Sequence, residues 1–535
     1  MADYKHPCLS RDASHRILPG TDAGRVCPRA LQGRKASKAY TAFHQGKRGR
    51  GIGVKNSSSV TKNDFYCKLY YIVFGKKKKG ILSIMGRLFG TDGARGVAIT
   101  ELTCELAMNI GRASAIVLTK QKTHKGKARI LIGKDTRISS DILESALIAG
   151  ITSVGADVEL LGVVPTPAVA YLVRYYEADA GVMISASHNS VEYNGIKLFS
   201  STGFKLPDEV ENEIEALILD TPEKMELVDG SDVGRVRTMY GAVSEYNEHI
   251  QSTVGGKFQG LLVAIDCANG SASATAESLF YKFGAEFVYI NNEPNGLNIN
   301  DKCGSTHMEQ LVELVKKRGC DVGFAFDGDA DRCLAVDEKG NIIDGDKLIA
   351  ILSRYMKEMG TLKNNAAVVT VMSNLGFHRF MNENKIDTVC TKVGDRYVLE
   401  EMLSSGYNIG GEQSGHIIFL DHATTGDGQL TAVQTLELLS KCRRPLSQLV
   451  QDIPDFPQLL VNVKITEDKK GLWDKTEKIT DAIAQAEKAM GENGRILVRE
   501  SGTEPLVRVM IEGKDEKEVH YWTNLIADTV RECLC

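Results

Sequence analysis

Residues 180–199 read AGVMISASHNSVEYNGIKLF. The first five are small or apolar and read as a buried strand. They run straight into a knot of polar groups, Ser187, His188 and Asn189, with Lys197 ten positions after the serine. Neighbouring side chains diverge in a strand or turn, so Ser187 and His188 are expected to be poor nucleophile–base partners for each other. A serine that carries a phosphoryl group fits better. Phosphoserine has a charge of about −1.5 to −2 and three acceptor oxygens, and it calls for a cation and hydrogen-bond donors. Taken alone, without the other motifs, the stretch reads better as a capping serine in a turn.

The same strand-then-polar-turn pattern recurs outward from this point. ARILIGKDTR leads into ISSDILESALIAGITSVG, and LLVAIDCANG leads into SASATAESLFYKFG and EFVYIN. VGFAFDGDADR and AAVVTVMSN continue it. Strand–helix alternation of this kind predicts parallel α/β layers, repeated several times, with ligand groups at the carboxyl ends of strands. From about Pro457 the pattern changes. LLVNVKI, DKTEKITDAIAQAEKAM, GRILVRES and VRVMIEG, with a last helix, predict a smaller α+β domain. The boundaries expected are 1–84, 85–245, 246–343, 344–455 and 456–535.

At 535 residues the chain is too long for one core, and 43% hydrophobic with 25% charged residues is an ordinary soluble composition. No apolar run reaches the ~20 residues that span a bilayer. Twelve cysteines without a CxxC pair point to reduced thiols and a cytoplasmic setting. The net charge of −4 hides an asymmetry. Residues 1–84 carry 18 Lys and Arg against four Asp and no Glu, while the remainder carries 47 basic and 65 acidic residues. This first segment lacks helical or strand periodicity and is expected to be largely disordered. It reads best as translated upstream sequence or a dispensable extension, since the compact part starts well at Met85. A targeting segment, or a nucleic-acid tail built on GKRGRG and GKKKKG, is the other reading.

Three further stretches carry chemistry. In 327-DGDADR-332, Asp327, Asp329 and Asp331 put three carboxylates in one loop, a set suited to Mg²⁺. An EF-hand is disfavoured, because Arg332 stands where that loop needs glycine and VGFAF reads as a strand. An aspartyl-phosphate nucleophile or a solvated acidic turn are the alternatives. In 499-RESGTEPLVRVM-510, Arg499, Ser501, Gly502 and Thr503 offer a guanidinium, hydroxyls and open backbone N–H groups, a phosphate cradle to which Arg508 adds a second fork. In 410-GGEQSGHIIF-419, Glu412, Ser414 and His416 alternate, and a carboxylate and a hydroxyl at i and i+2 can grip sugar hydroxyls or an amine. Each of the last two also reads as an ordinary turn.

Together, RLFGTDGARG, SASHN with NGIKLF, NGLNINDKCGSTH, DGDADR, GEQSGH and RESGTEPLVRVMIEG resemble the α-D-phosphohexomutase superfamily, in order over about 450 residues from Met85. GEQSGH, with Gln413, and the NGLNIN–CGSTH stretch are most similar to its bacterial phosphoglucosamine mutase branch. The resemblance implies three similar mixed α/β domains around a central cleft, followed by a C-terminal α+β domain like the TATA-box-binding protein. It implies Ser187 as the phosphoserine, and Mg²⁺ held by Asp327, Asp329, Asp331 and the Ser187 phosphate. Lys197 becomes a general acid/base candidate, with Arg95, Arg137, His188 and His416 near the reacting groups. Arg332, Glu412, Ser414, Arg499, Ser501, Gly502, Thr503 and Arg508 become substrate-binding residues. The implied reaction interconverts glucosamine 6-phosphate and glucosamine 1-phosphate, feeding UDP-N-acetylglucosamine and cell-wall synthesis. The implied partner is a small sugar phosphate, with no nucleic acid or membrane, in a monomer or homodimer. A phosphomannomutase/phosphoglucomutase, or more remotely a non-catalytic sugar-phosphate-binding homologue, are the other readings. The family has proline after ASHN where this chain has Ser190, which is expected to loosen the loop.

Overall fold

A computed structural model describes residues 87–90, 93–120, 126–501 and 505–535. The expectations for residues 1–84, and for Gly502 and Thr503, lie outside the described residues. The described chain builds four sheets in succession. The first holds β1 (Phe89–Gly90), β2 (Gly93–Val97), β3 (Arg129–Lys134), β4 (Asp157–Val163), β5 (Ala180–Ile184), β6 (Tyr193–Ser200) and β7 (Val236–Thr238), in the order β1-β2-β6-β5-β3-β4-β7. The second is β8 (Leu262–Asp266), β9 (Glu286–Ile290), β10 (Val322–Phe326), β11 (Cys333–Asp337) and β12 (Ile342–Ile343), ordered β12-β11-β10-β8-β9. The third is β13 (Ala366–Thr370), β14 (Asp387–Thr391), β15 (Ile409–Gly411) and β16 (Ile417–Phe419), ordered β14-β13-β15-β16. The fourth is β17 (Gln458–Lys464), β18 (Gly494–Glu500) and β19 (Leu506–Gly513), with β19 in the middle.

The sheets are mixed, as the resemblance implies, whereas strand–helix alternation alone reads as parallel layers. In each α/β sheet one strand runs parallel to its inner neighbour and then turns back into an antiparallel one. β5 lies parallel to β3, passes through 185–192 and returns as β6, with Ile184 opposite Ile196. β10 lies parallel to β8, passes through 327–332 and returns as β11, with Phe326 opposite Cys333. β15 lies parallel to β13, passes through 412–416 and returns as β16, with Gly411 opposite Ile417. A crossover helix would carry the chain away from the strand's carboxyl end, whereas a tight return keeps the polar residues there. SASATAESLFYKFG is also less helical than its periodicity predicts, giving a 3₁₀ turn at Ser271–Ala274 and a short helix at Ala276–Tyr281.

One continuous apolar core joins the three α/β units, running through Leu131, Phe199, Tyr246, Phe326, Ile349 and Leu436. The C-terminal sheet and its two helices, Glu477–Met490 and Glu516–Leu534, have a core of their own built on Ile479, Val509 and Ile526. Burial therefore fastens the first three units to each other more firmly than to the fourth. Among the described residues no helix is long and apolar enough to cross a membrane.

Candidate active site

The serine loop is built by a buried clamp. Asp135, just past β3 and 1% exposed, accepts from Ser185 Oγ at 2.7 Å and faces Arg137 Nε at 2.9 Å. Burial raises the Asp135 pKa, and Arg137 opposes that rise. Arg137, also 1% exposed, spends its remaining donors on loop carbonyls: Ser187 O at 3.0 Å, Asn189 O at 2.7 Å, and Ser190 O. Asn300 Nδ2 donates to Ser187 O and Asn189 O, both at 2.9 Å. The loop lacks a proline at Ser190, yet a guanidinium and an amide pin the carbonyls on either side. Arg137 thus stands behind the loop and holds it.

The clamp keeps Ser187 at φ 54°, in the left-handed region. That turn explains a departure from the sequence reading. Ser187 Oγ lies 3.3 Å from His188 Nδ1, because the left-handed backbone swings the serine side chain back toward its neighbour. Arg332 Nη1 approaches the same Nδ1 at 3.2 Å, and burial, with Arg332 and Arg95, lowers the ring's pKa to about 4. Ser187 Oγ instead donates to Asp327 Oδ2 at 2.6 Å.

Asp327, Asp329 and Asp331 are 1%, 0% and 3% exposed, which removes the solvated-turn reading of this loop. One oxygen from each lies within 4.8 Å of the others. Gly328 permits the approach, since a Cβ there would stand 2.6 Å from Ser187 O. Lys197 Nζ donates to Asp329 Oδ2 at 2.7 Å and reaches Asp331 Oδ2 at 3.4 Å. Thr166, at the start of helix Thr166–Tyr175, donates its N–H to Asp329 O at 2.9 Å and its hydroxyl to Asp329 Oδ2. Asp329 Oδ1 and Asp331 Oδ1 nevertheless have no hydrogen-bond partner among the described residues. Burial, with Asp331 and Asp329 beside it, pushes Asp327 well up. Burial also opposes charge on Asp331, but Lys197 and His416 hold it well down. Crowded carboxylates with two buried, unpartnered oxygens fit a hard divalent cation, which would satisfy those oxygens and their charge together.

The loop after β15 joins from the third sheet. His416, 3% exposed, sets Nδ1 3.7 Å from Asp331 Oδ2 and Nε2 3.5 Å from Asp395 Oδ2. Gly426 N–H donates to Nε2 at 3.0 Å. Burial disfavours the charged ring, and Asp331 and Asp395 outweigh it, so the His416 pKa is raised. Glu412 accepts from Gly394 N at 3.0 Å and acts electrostatically on Arg332, while Ser414 is exposed on the same turn. Arg95, exposed on β2, stands close enough to His188 to depress its pKa. Ser187, Lys197, the three aspartates, Arg332 and His416 are thus gathered from three units.

The cradle residues lie in the fourth unit. Arg499 on β18 faces Arg508 on β19 across the ladder. Burial and the opposing Arg508 lower the Arg499 pKa, and Arg508 Nε is buried with no hydrogen-bond partner among the described residues. Two guanidiniums pressed together call for an anion. Ser501, 4% exposed, closes the strand with its N–H on Leu506 O at 2.9 Å.

Sequence reasoning missed Asp135, Thr166, Asn300 and Asp395. None sits in a polar cluster that stands out by spacing. Asn300 could have been noticed, since it lies in the NGLNIN stretch already singled out.

Comparison with known proteins agrees along the chain. The family models for phosphoglucomutase/phosphomannomutase match in order: alpha/beta/alpha domain I over residues 86–225, domain II over 244–340, domain III over 344–456 and the C-terminal domain over 460–529. The chain is 53% identical over 448 residues to the phosphoglucosamine mutase of Clostridium novyi (strain NT), which covers 84% of this chain and 99% of that protein. It is 54% identical over 435 residues to that of Clostridium tetani (strain Massachusetts / E88), covering 81% and 96%. Among solved structures, a phosphoglucomutase/phosphomannomutase family protein from Burkholderia thailandensis superposes with TM-score 0.69 at 22% identity, over 84% of this chain and 98% of that one. The Aspergillus fumigatus N-acetylphosphoglucosamine mutase, in complex with GlcNAc-6P and magnesium, gives TM-score 0.60 at 17% identity, over 89% and 100%.

Proposed function

Since the chain belongs to the phosphoglucomutase/phosphomannomutase family, we propose that it interconverts glucosamine 6-phosphate and glucosamine 1-phosphate, the phosphoglucosamine mutase reaction. It is an isomerase that works by phosphoryl transfer. The observation that carries the reading is the 2.6 Å contact between Ser187 Oγ and Asp327 inside the buried acid cluster. Phospho-Ser187 gives its phosphoryl group to the free hydroxyl of the sugar phosphate. The P–Oγ bond breaks, a P–O bond to the sugar forms, and a 1,6-bisphosphate results. After the intermediate turns around, Ser187 Oγ takes the other phosphoryl group and releases the isomer.

The chain's own groups supply positioning and charge, which phosphoryl transfer chiefly needs. Asp327, Asp329 and Asp331 would hold Mg²⁺ together with the seryl phosphate, and when bound it supplies positive charge to the transferring oxygens. Lys197, beside Asp329, is placed to shuttle the proton of the attacking hydroxyl. Ser187 Oγ takes up that proton as its phosphoryl group leaves and gives it back through Lys197 when it attacks the bisphosphate. Arg332, Glu412, Ser414 and His416 bind and orient the sugar, and Arg499 with Arg508 holds the phosphate that is not reacting. The described cysteines are all free thiols, which supports a reducing, cytoplasmic setting.

Turnover of glucosamine, glucose and mannose 6-phosphates, with Ser187→Ala beside the unaltered protein, tests the reading. Glucosamine 6-phosphate should be preferred and the variant inactive. A variant that retains full turnover excludes the covalent route, and preference for mannose or glucose assigns the chain to another branch.

A further inference from the structure

Gln413 stands between two residues of the proposed sugar loop, yet its side chain turns the other way. Its Nε2 donates to Asp344 Oδ2 at 3.0 Å, and its carbonyl accepts from Gly345 N at 2.9 Å. A Cβ on Gly345 would come within 2.2 Å of Glu412 O, so the loop is pressed onto the start of helix Gly345–Glu358. Asp344 caps that helix, accepting from Lys347 N at 3.0 Å. A cavity of about 190 Å³ opens beside the pair, lined in part by Asp346, Asn374, Phe456 and Gln458. Its far side is the linker into the C-terminal domain.

The seam across this cavity is polar. Asp346, 2% exposed, accepts from Asn374 N at 2.7 Å and leaves Oδ1 with no hydrogen-bond partner among the described residues. Asn374 Nδ2 ties down the linker at Phe456 O, 2.9 Å away. From the C-terminal domain, Arg495 on β18 donates to Ser373 O at 2.7 Å and sets Nε 2.7 Å from Glu512 Oε1, which is 0% exposed. Arg495 lies four residues before Arg499 on the same strand. The C-terminal domain has its own apolar core, and these polar contacts fasten the domain that carries Arg499 and Arg508 to the third unit.

We infer that Gln413 is a positioning residue that couples the sugar loop to the C-terminal domain, through Asp344 and the buried carboxylates at the domain seam. The inference rests on the proposed function, in which the bisphosphate must turn around without leaving the cleft. A sugar seated on Glu412 and Ser414 braces Gln413 against Asp344, and the seam then keeps the phosphate cradle closed over the turning intermediate. Gln413 touches neither the reacting groups nor the cation site, so its loss affects retention of the intermediate and spares chemistry.

The test uses the full chain carrying Gln413→Leu or Gln413→Glu; the first removes the donor, and the second sets a carboxylate against Asp344. Single-turnover transfer from phosphorylated enzyme to sugar phosphate should stay within about twofold of the unaltered protein. Steady-state turnover should fall about tenfold, with 1,6-bisphosphate appearing in solution, and added bisphosphate should restore the rate. Combining Gln413→Glu with Asp344→Asn rebuilds the hydrogen bond with donor and acceptor exchanged, and should recover retention. Equal losses in both rates, no loss in either, or a double variant no better than Gln413→Glu would overturn the inference. Should Gln413→Glu fail to fold, Gln413→Leu decides. Both rates are measured on whichever hexose 6-phosphate the protein turns over. Inactivity toward glucosamine 6-phosphate then counts against the proposed function, and the split between the rates decides the coupling.

Discussion

Replacing Arg137 with methionine separates a residue that holds the serine loop from one that acts on the substrate. The substitution keeps most of the bulk and removes every polar contact the Arg137 side chain makes, leaving its backbone N–H on Asp135 Oδ1 at 3.0 Å. Asp135, 1% exposed, loses its ion partner at 2.9 Å while keeping the hydroxyls of Ser185 and Ser140. Breaking a buried pair from one side costs about 3–5 kcal/mol. At about 2–4 °C per kcal/mol for a domain of this size, the first unit should melt about 10 °C lower. The catalytic effect has a different origin. Ser187 sits at φ 54°, which costs a non-glycine residue about 1–2 kcal/mol, and Arg137 is part of what enforces it. Freed of the clamp, the loop relaxes and the competent conformer falls about 5- to 30-fold. Steady-state kcat/KM and a thermal melt on the same preparation check both numbers. A loss of kcat/KM beyond about 10⁴-fold with an unchanged melting temperature would mean that Arg137 contacts the reacting groups, and would refute the clamp.

Other consequences follow from the same geometry. Saturating Mg²⁺ should raise the melting temperature of the unaltered protein by an amount equivalent to about 2–3 kcal/mol at 100-fold excess over Kd, and Asp331→Asn should abolish the rise; equal shifts in both, followed by calorimetry, would remove the acid cluster as the cation site. Burial, with Asp344 nearby, pushes Asp346 up to about 7, and burial against the pull of Arg495 does the same to Glu512. The folded protein therefore binds more protons than the unfolded chain between about pH 4 and 7, and stability should fall as pH rises through that window, by at most about 1.4 kcal/mol per pH unit per group. Denaturant melts of the double variant Asp346→Asn, Glu512→Gln should lose this slope, and an unchanged slope would place its source elsewhere. Arg508→Ala removes one of two facing guanidiniums, so KM should rise at least tenfold with kcat changing less, whereas a purely structural arginine would leave KM alone.

Much of this organisation was legible because apolar runs that end abruptly in charge are rare inside a packed chain. AGVMI before SASHN and VGFAF before DGDADR marked strand ends, and strand ends in α/β folds are where ligand groups collect. The alternation did not reveal that each such strand returns antiparallel, because a tight return and a helical crossover begin with the same polar residues. The backbone state of Ser187 was also hidden, since the left-handed turn is imposed by Arg137 and Asn300 from 50 and 113 positions away. Gln413 marked the branch correctly by position, but its direction depends on Asp344, a helix cap that local pattern leaves indistinct. Asp395 and Thr166 gave no signal, because single residues at helix starts are common and only packing aims these two at the site.

A mass spectrum of peptides from the protein, taken after exposure to a hexose 1,6-bisphosphate and again after excess glucosamine 6-phosphate, tests the central claim most directly. The mass of one phosphate should appear on the peptide bearing Ser187, be absent from Ser187→Ala, and pass to the sugar on the second addition. A phosphate found on another residue, or one that stays on Ser187 while the sugar turns over, would contradict the account.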